Sequence, residues 1–185
     1  RAMSTQETPE KPLRNFYGRL RGKALKPVQR RYLEDLPALS PGPVGWDENP
    51  ERTPLDLGAL FGGRPDWLEV GFGSGAHPVQ QAATLLGKLQ KTPLDNVRVH
   101  AGDARDLMEV LPPESLDKAF LLYPDPWPKA RHHRRRVVTP EHLGPLHRAI
   151  KPGAAFRVAT DIPDYVRQAL EEVPKAGFEW LAERA

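Results

Sequence analysis

The sequence predicts an α/β fold with a mostly parallel, doubly wound sheet and flanking helices, and three observations carry that prediction. A short apolar run, Trp67-Leu68-Glu69-Val70, breaks into Gly71-Phe72-Gly73-Ser74-Gly75 and then into His77-Pro78, the order of a strand, a tight turn and a helix start. Two further near-continuous apolar runs, residues 118–123 and 154–160, read as strands covered on both faces. Between the runs stand helix starts, Asp103 as a cap and Thr139-Pro140-Glu141 as a cap with proline at the first helical position. Strands alternating with helices make a parallel sheet, and such sheets bind ligands beyond the carboxyl ends of their strands.

The elements follow in order. Residues 3–36 form a basic N-terminal arm, disordered over its polar start and helical around Pro27–Leu36, and residues 37–185 form the main domain. Residues 37–55, rich in Pro, Gly and Asn, are irregular. Asn96–His100 alternates and is expected to be a strand. The helix capped by Asp103 carries Leu107, Val110 and Leu111 on one face and stops at Pro112-Pro113. The helix from Thr139 runs to Ile150 with a kink at Pro145. Pro152-Gly153 is a turn. Asp161 and Pro163 start a helix with Tyr165, Val166, Ala169, Leu170 and Val173 facing inward, and Phe178–Leu181 begins a last strand.

A chain of 185 residues suits one domain of ordinary size. The absence of cysteine excludes disulfides, zinc–cysteine sites, iron–sulfur clusters and cysteine nucleophiles. No run approaches the ~20 apolar residues of a membrane span, and no secretory signal opens the chain, so the expected address is cytoplasmic. The net charge is only +3, yet eight Lys/Arg and no acid lie between Lys11 and Leu33, and five Lys/Arg with two histidines and no acid lie between Lys129 and Arg136. Two acid-free basic blocks in a nearly balanced chain point to a polyanion, and neither has the apolar stripe of a membrane-surface helix, so nucleic acid is the expected partner.

Glu69 stands two residues before Gly71 and four before Gly73. Glycines after a first strand allow a tight turn and close approach of a ligand. A carboxylate at Glu69 can accept hydrogen bonds from the ammonium group of a methionine moiety and would repel a pyrophosphate, which favours S-adenosylmethionine over a dinucleotide. Asp103 either caps its helix or accepts from an adenine amine, and the two roles can coexist. Residues 123–136, YPDPWPKARHHRRR, combine three prolines, one acid, one tryptophan and a basic run at a strand end. That composition reads as a rigid, extended loop able to hold a carboxylate beside a planar base. His77, His100, His142 and His147 show no metal spacing and read as surface or capping residues.

Taken in order, Glu-x-Gly-x-Gly-x-Gly, Gly-Asp-Ala, Pro-Asp-Pro-Trp-Pro-Lys-x-Arg-His-x-Arg-Arg and Ala-Thr-Asp resemble the bacterial tRNA (guanine-N7)-methyltransferases from about Arg14 to Leu181. The resemblance implies a Rossmann-like class I methyltransferase that moves a methyl group from S-adenosyl-L-methionine to N7 of a guanine, at position 46 of the tRNA variable loop. It implies cofactor contacts at Glu69, Asp103 and Asp125, to which the glycine turn adds Gly71 and Gly73, catalysis at Asp125, and substrate contacts at Lys129 and Asp161. No metal is implied, and a monomer is expected. Guanine N7 has a free lone pair, so no base need remove a proton. Asp125 would accept from the guanine N1–H and amino group, while Arg134, Arg135, Arg136, Lys129 and the Lys11–Arg31 block would hold phosphates.

Two family features have no counterpart: the acid after the second strand that holds the ribose hydroxyls, and the C-terminal Thr-x-Tyr-Glu motif. Only 20 residues separate Gly75 from Asn96, where a helix, a strand and another helix belong. A strand–helix–strand unit takes ~30 residues. A join near Ala82–Thr84, with a backbone break and no continuous helix through it, is therefore expected, as is loss of a closing strand pair after Ala185. Three other readings stay open on the residues alone: an amino-group N-methyltransferase, a dinucleotide-dependent oxidoreductase, and a non-catalytic RNA-binding relative.

Overall fold

The computed structural model describes residues 9–13, 26–27, 30–31, 34, 36–71, 85–89, 91–92 and 94–181. Its centre is a parallel sheet of three strands, β1 (Trp67–Val70), β2 (Leu116–Leu122) and β3 (Ile150–Ala159), with β2 in the middle. Val70 lies opposite Leu121, and Leu121 opposite Val158, so all three strands end at one edge. Near the other edge Asp117 receives the Asp66 N–H and the Lys151 ammonium, each at 2.8 Å, tying the three strands together.

Helix α1 (Leu57–Phe61) has Asp56 as its cap, accepting from the Ala59 N–H, and ends on left-handed Gly62. Helix α2 (Ala104–Val110) starts on Asp103 as expected, with Met108 and Val110 buried. Helix α3 (Pro140–Ala149) starts on Thr139, whose hydroxyl accepts from the His142 N–H. Helix α4 (Pro163–Lys175) follows β3. Arg148 of α3 donates to the Glu109 and Leu111 carbonyls and so satisfies the open end of α2. One apolar cluster joins Leu68, Val70, Ala119 and Leu121 of the sheet to Met108, Leu143, Leu146, Tyr165 and Ala169 of the helices. Each fully buried leucine in it contributes about 1.5–3 kcal/mol.

Several expectations are corrected. Residues 96–100 form no strand. Val99 is buried, and its N–H goes to the Leu39 carbonyl beside the 3-10 turn Leu36–Leu39, not to a sheet neighbour. Residues 178–181 are likewise not a strand. In α4 only Tyr165, Ala169 and Val173 are buried, a strict i, i+4, i+8 stripe. Val166 and Leu170 sit beside that stripe and are 40% and 52% exposed. Ala119 and Leu121 are buried on one face of the central strand, and on the other Leu116 is buried while Phe120 and Leu122 are half-buried. On that second face, among the described residues, Lys118 is exposed and lies over the exposed Trp67 ring. Helix α3 runs through Pro145, whose missing N–H deprives only the carbonyl of exposed Glu141. Pro152-Gly153 is a bulge inside β3: the register jumps from Leu116 opposite Ile150 to Lys118 opposite Ala155, with Gly153 at φ +76°. Helix α1 was not foreseen. The helix expected from His77 and the join at 82–84 lie outside the described residues, as does most of the basic arm; residues 85–89 are helical.

Candidate active site at the carboxyl edge of the sheet

The parallel register brings the ends of β1, β2 and β3 side by side. With strands ~4.8 Å apart, the three chain exits span roughly 10 Å. Glu69 is exposed one residue before the end of β1. Gly71 follows at φ +81°, exposed, and a β-carbon there would meet none of the described residues within 4 Å. That backbone suits glycine and leaves the strand end open to close approach. This arrangement fits the amino-acid end of S-adenosylmethionine, with an acceptor at Glu69 beside bare backbone at Gly71. Gly73 lies outside the described residues.

Asp103 serves as a cap, accepting from the Arg105 N–H at 2.9 Å, and both its oxygens accept from the Arg105 guanidinium. Its carbonyl lies 3.2 Å from His100 Nε2. Burial pushes the His100 imidazole below its ordinary pKa. A β-carbon at Gly102 would stand 2.6 Å from Nε2, so a larger residue there would displace the ring.

Asp125 and Asp161 come after the ends of β2 and β3, and both are exposed. The loop bearing Asp125 is not uniformly extended: Tyr123 (φ +48°) and Trp127 (φ +42°) are left-handed, a region that costs a non-glycine residue about 1–3 kcal/mol. Tyr123 is held by its N–H on the Ala159 carbonyl at 2.8 Å. Trp127 is held by side chains of the adjoining basic run.

Residues Ala130–Arg135 form a 3-10 helix. With three residues per turn, side chains three apart fall in one row, and the basic run divides accordingly. His132 and Arg135 take the Trp127 side: the His132 ring meets the indole edge-on at 6.0 Å, and the Arg135 guanidinium lies 5.1 Å from the ring centroid. His133 and Arg136 take the α4 side, 3.2 and 2.8 Å from one oxygen of Asp164. Arg131 and Arg134 are exposed, as is Lys129 before the turn. Arg136 is therefore corrected from an expected phosphate ligand to a buried residue, 1% exposed. Its hydrogen bond to Asp164 holds that carboxyl below the usual range. Tyr165, under the Arg136 guanidinium, is wholly buried, and burial pushes its hydroxyl up to about 12. An open groove of about 580 Å³ beside the turn is lined by Arg134 and Arg167 but also by Asp164, Glu171 and Glu172, so it lacks the uniform positive lining a polyanion needs.

A carboxylate on a proline-stiffened strand end beside a glycine turn restricts the chemistry, and sequence relatives decide the family. Residues 82–184 match the family model described as "Putative methyltransferase". The chain is 64% identical to the tRNA (guanine-N(7)-)-methyltransferase of Ruegeria pomeroyi over 97% of its own length and 84% of the relative's. Against the proteins of the same name from a second Ruegeria and from Roseobacter denitrificans, identity is 69% and 64%, each over 93% of the chain, with 75% and 82% of the relatives covered. The chain belongs to the tRNA (guanine-N(7)-)-methyltransferase family. For a member of that family, the parallel three-stranded sheet is the Rossmann-like core that its sequence predicted. Two kinds of residue escaped the sequence reading of this methyltransferase. Arg131 was passed over within the basic run. The burial of Arg136 against Asp164 was invisible because the run is chemically uniform, although the i, i+3 spacing of His133 and Arg136 carries it once a 3-10 turn is recognised.

Proposed function

We propose that this chain methylates N7 of a guanine in tRNA, at position 46 of the variable loop, with S-adenosyl-L-methionine as methyl donor. The observation that carries the reading is the exposed Asp125 at the end of β2, one strand from the open backbone of Gly71, in a chain of this family. When bound, S-adenosylmethionine supplies a methyl group on a sulfonium, which the N7 lone pair accepts with no proton removed. Asp125 accepts from the guanine N1–H and amino group and offsets the positive charge that reaches the purine. Glu69 and Gly71, with Gly73, would hold the donor's methionine end, and Asp103 would accept from its adenine amine. Asp161 contacts the substrate from the end of β3. Lys129, Arg131 and Arg134 hold phosphates, which fixes the register of the RNA and makes affinity salt-dependent. Arg135 acts from the face of Trp127.

The complete enzyme is read as a cytoplasmic monomer. Among the described residues no helix is long and apolar enough to cross a membrane, and no His, Asp and Glu group could hold a metal ion. The chain is also read as lacking an interior segment near residues 82–84. The alignment with the Ruegeria pomeroyi protein supports the interior gap, since it extends over 199 residues against the 185 of this chain.

Mapping tests the reading. After incubation of the complete protein with unmodified tRNA and S-adenosylmethionine, borohydride reduction and aniline cleavage cut RNA at N7-methylated guanines. A single cut at position 46 is expected. Cuts elsewhere would refute the position, and no cut would refute N7 methylation.

A further inference from the structure

We propose that Arg136 is a positioning residue for methyl transfer: it clamps the Asp125 loop onto α4 and never touches RNA. The proposal rests on the reading of Asp125 as the catalytic carboxylate. The guanidinium, 1% exposed, is costly to bury unless its donors are matched. They are. Nε donates to the Pro126 carbonyl at 2.9 Å, and Nη2 reaches the Trp127 carbonyl at 3.5 Å. On the other side Nη1 donates to Gln168 Oε1 at 2.8 Å and to the Asp164 carbonyl at 3.4 Å, while Nη2 donates to Asp164 Oδ2 at 2.8 Å. Its plane lies over the Tyr165 ring at 4.9 Å. The two loop carbonyls it pins belong to the residues immediately after Asp125.

This connection accounts for two features of the loop. Trp127 keeps a left-handed backbone, which persists only where the surroundings over-determine it. The Arg136 contact to its carbonyl and the Arg135 and His132 contacts to its indole supply that constraint from two rows of one 3-10 turn. Asp125 is exposed, so its direction is set by the backbone on either side: by the Tyr123 N–H bonded to β3 and by the Arg136 clamp beyond. A planar fork with fixed donor directions can join five acceptor atoms on four residues in this way, and an ammonium cannot.

The test compares Arg136→Lys with wild type in the complete protein, and uses Asp164→Asn as the second variant should Arg136→Lys fail to fold. Three quantities are read: amide hydrogen exchange at Asp125 and Trp127, tRNA affinity as a function of salt, and kcat against KM for methyl transfer. Expected are about tenfold faster exchange in the loop with β2 unchanged, an unchanged salt slope and KM, and a kcat lower by about 100-fold, the scale of a 1 Å misplacement. Unchanged loop exchange, or unchanged kcat, overturns the proposal. A shallower salt slope also overturns it and makes Arg136 a phosphate ligand. Should wild type methylate no tRNA, the functional reading falls, and the exchange measurement still decides whether the clamp exists.

Discussion

Asp103 is gripped twice by the residue two positions on: the Arg105 N–H bonds to Oδ1 at 2.9 Å, and the Arg105 guanidinium bonds to both oxygens. The cap of α2 and the proposed adenine contact therefore share one carboxylate. Asparagine caps as well as aspartate, whereas alanine loses about 1 kcal/mol. Asp103→Asn is expected to melt close to wild type and Asp103→Ala lower, while both bind S-adenosylhomocysteine more weakly in calorimetric titration. Undiminished affinity in Asp103→Asn would leave the residue with the cap alone.

Asp125→Ala is expected to abolish methyl transfer, by at least about 100-fold in kcat, with a melting temperature unchanged within error. Asp125 is exposed, and exposed substitutions away from special features shift stability by only about 0.5 kcal/mol. A variant with wild-type turnover would reduce Asp125 to a loop residue.

Much of this arrangement is legible in the sequence, and the reason is local. Trp67–Val70 running into Gly71, Asp103 before Ala104, and Thr139 before Pro140 are signals that act within a few residues, and each became the strand end or cap expected. The strand expected at residues 96–100 failed because alternation states which side chains are buried, not which backbone they bond to; Val99 is buried but bonds to Leu39. Val166 and Leu170 failed because an apolar residue beside a helix's inner stripe has no obligation to be covered. Among the candidate residues, Glu69, Asp125 and Asp161 were legible as strand-end positions because a parallel sheet delivers its strand ends to one edge, and Asp103 was legible as a helix cap. The division of labour among Arg131, Arg134, Arg135 and Arg136 was not, since it depends on where Trp127 and Asp164 stand.

The Asp164 carboxyl gives a pH signature. Its hydrogen bond from Arg136 holds its pKa below the ordinary value, so the pair's contribution is complete above about 3.9 and is lost as pH falls through the lower folded pKa. The stability difference between wild type and Asp164→Asn, from denaturant melts, is expected to shrink as pH falls below about 4. A difference independent of pH would remove the ion pair from the stability of this corner.

Charge reversal separates the rows of the basic turn. Arg131→Glu and Arg134→Glu are expected to weaken tRNA binding and to lower the slope of log affinity against log salt by about 0.7–0.9 per lost phosphate contact, with cofactor affinity preserved. An unchanged slope in both would place the RNA on another surface.

The identity of the methylated nucleoside bears on everything above. Labelled S-adenosylmethionine is incubated with tRNA and the complete protein, and the RNA is digested and resolved by mass spectrometry. The label is expected in 7-methylguanosine, present with wild type and lost with Asp125→Ala. Label in a methylated adenine or cytosine amine, or no label in RNA, would contradict guanine N7 as the acceptor.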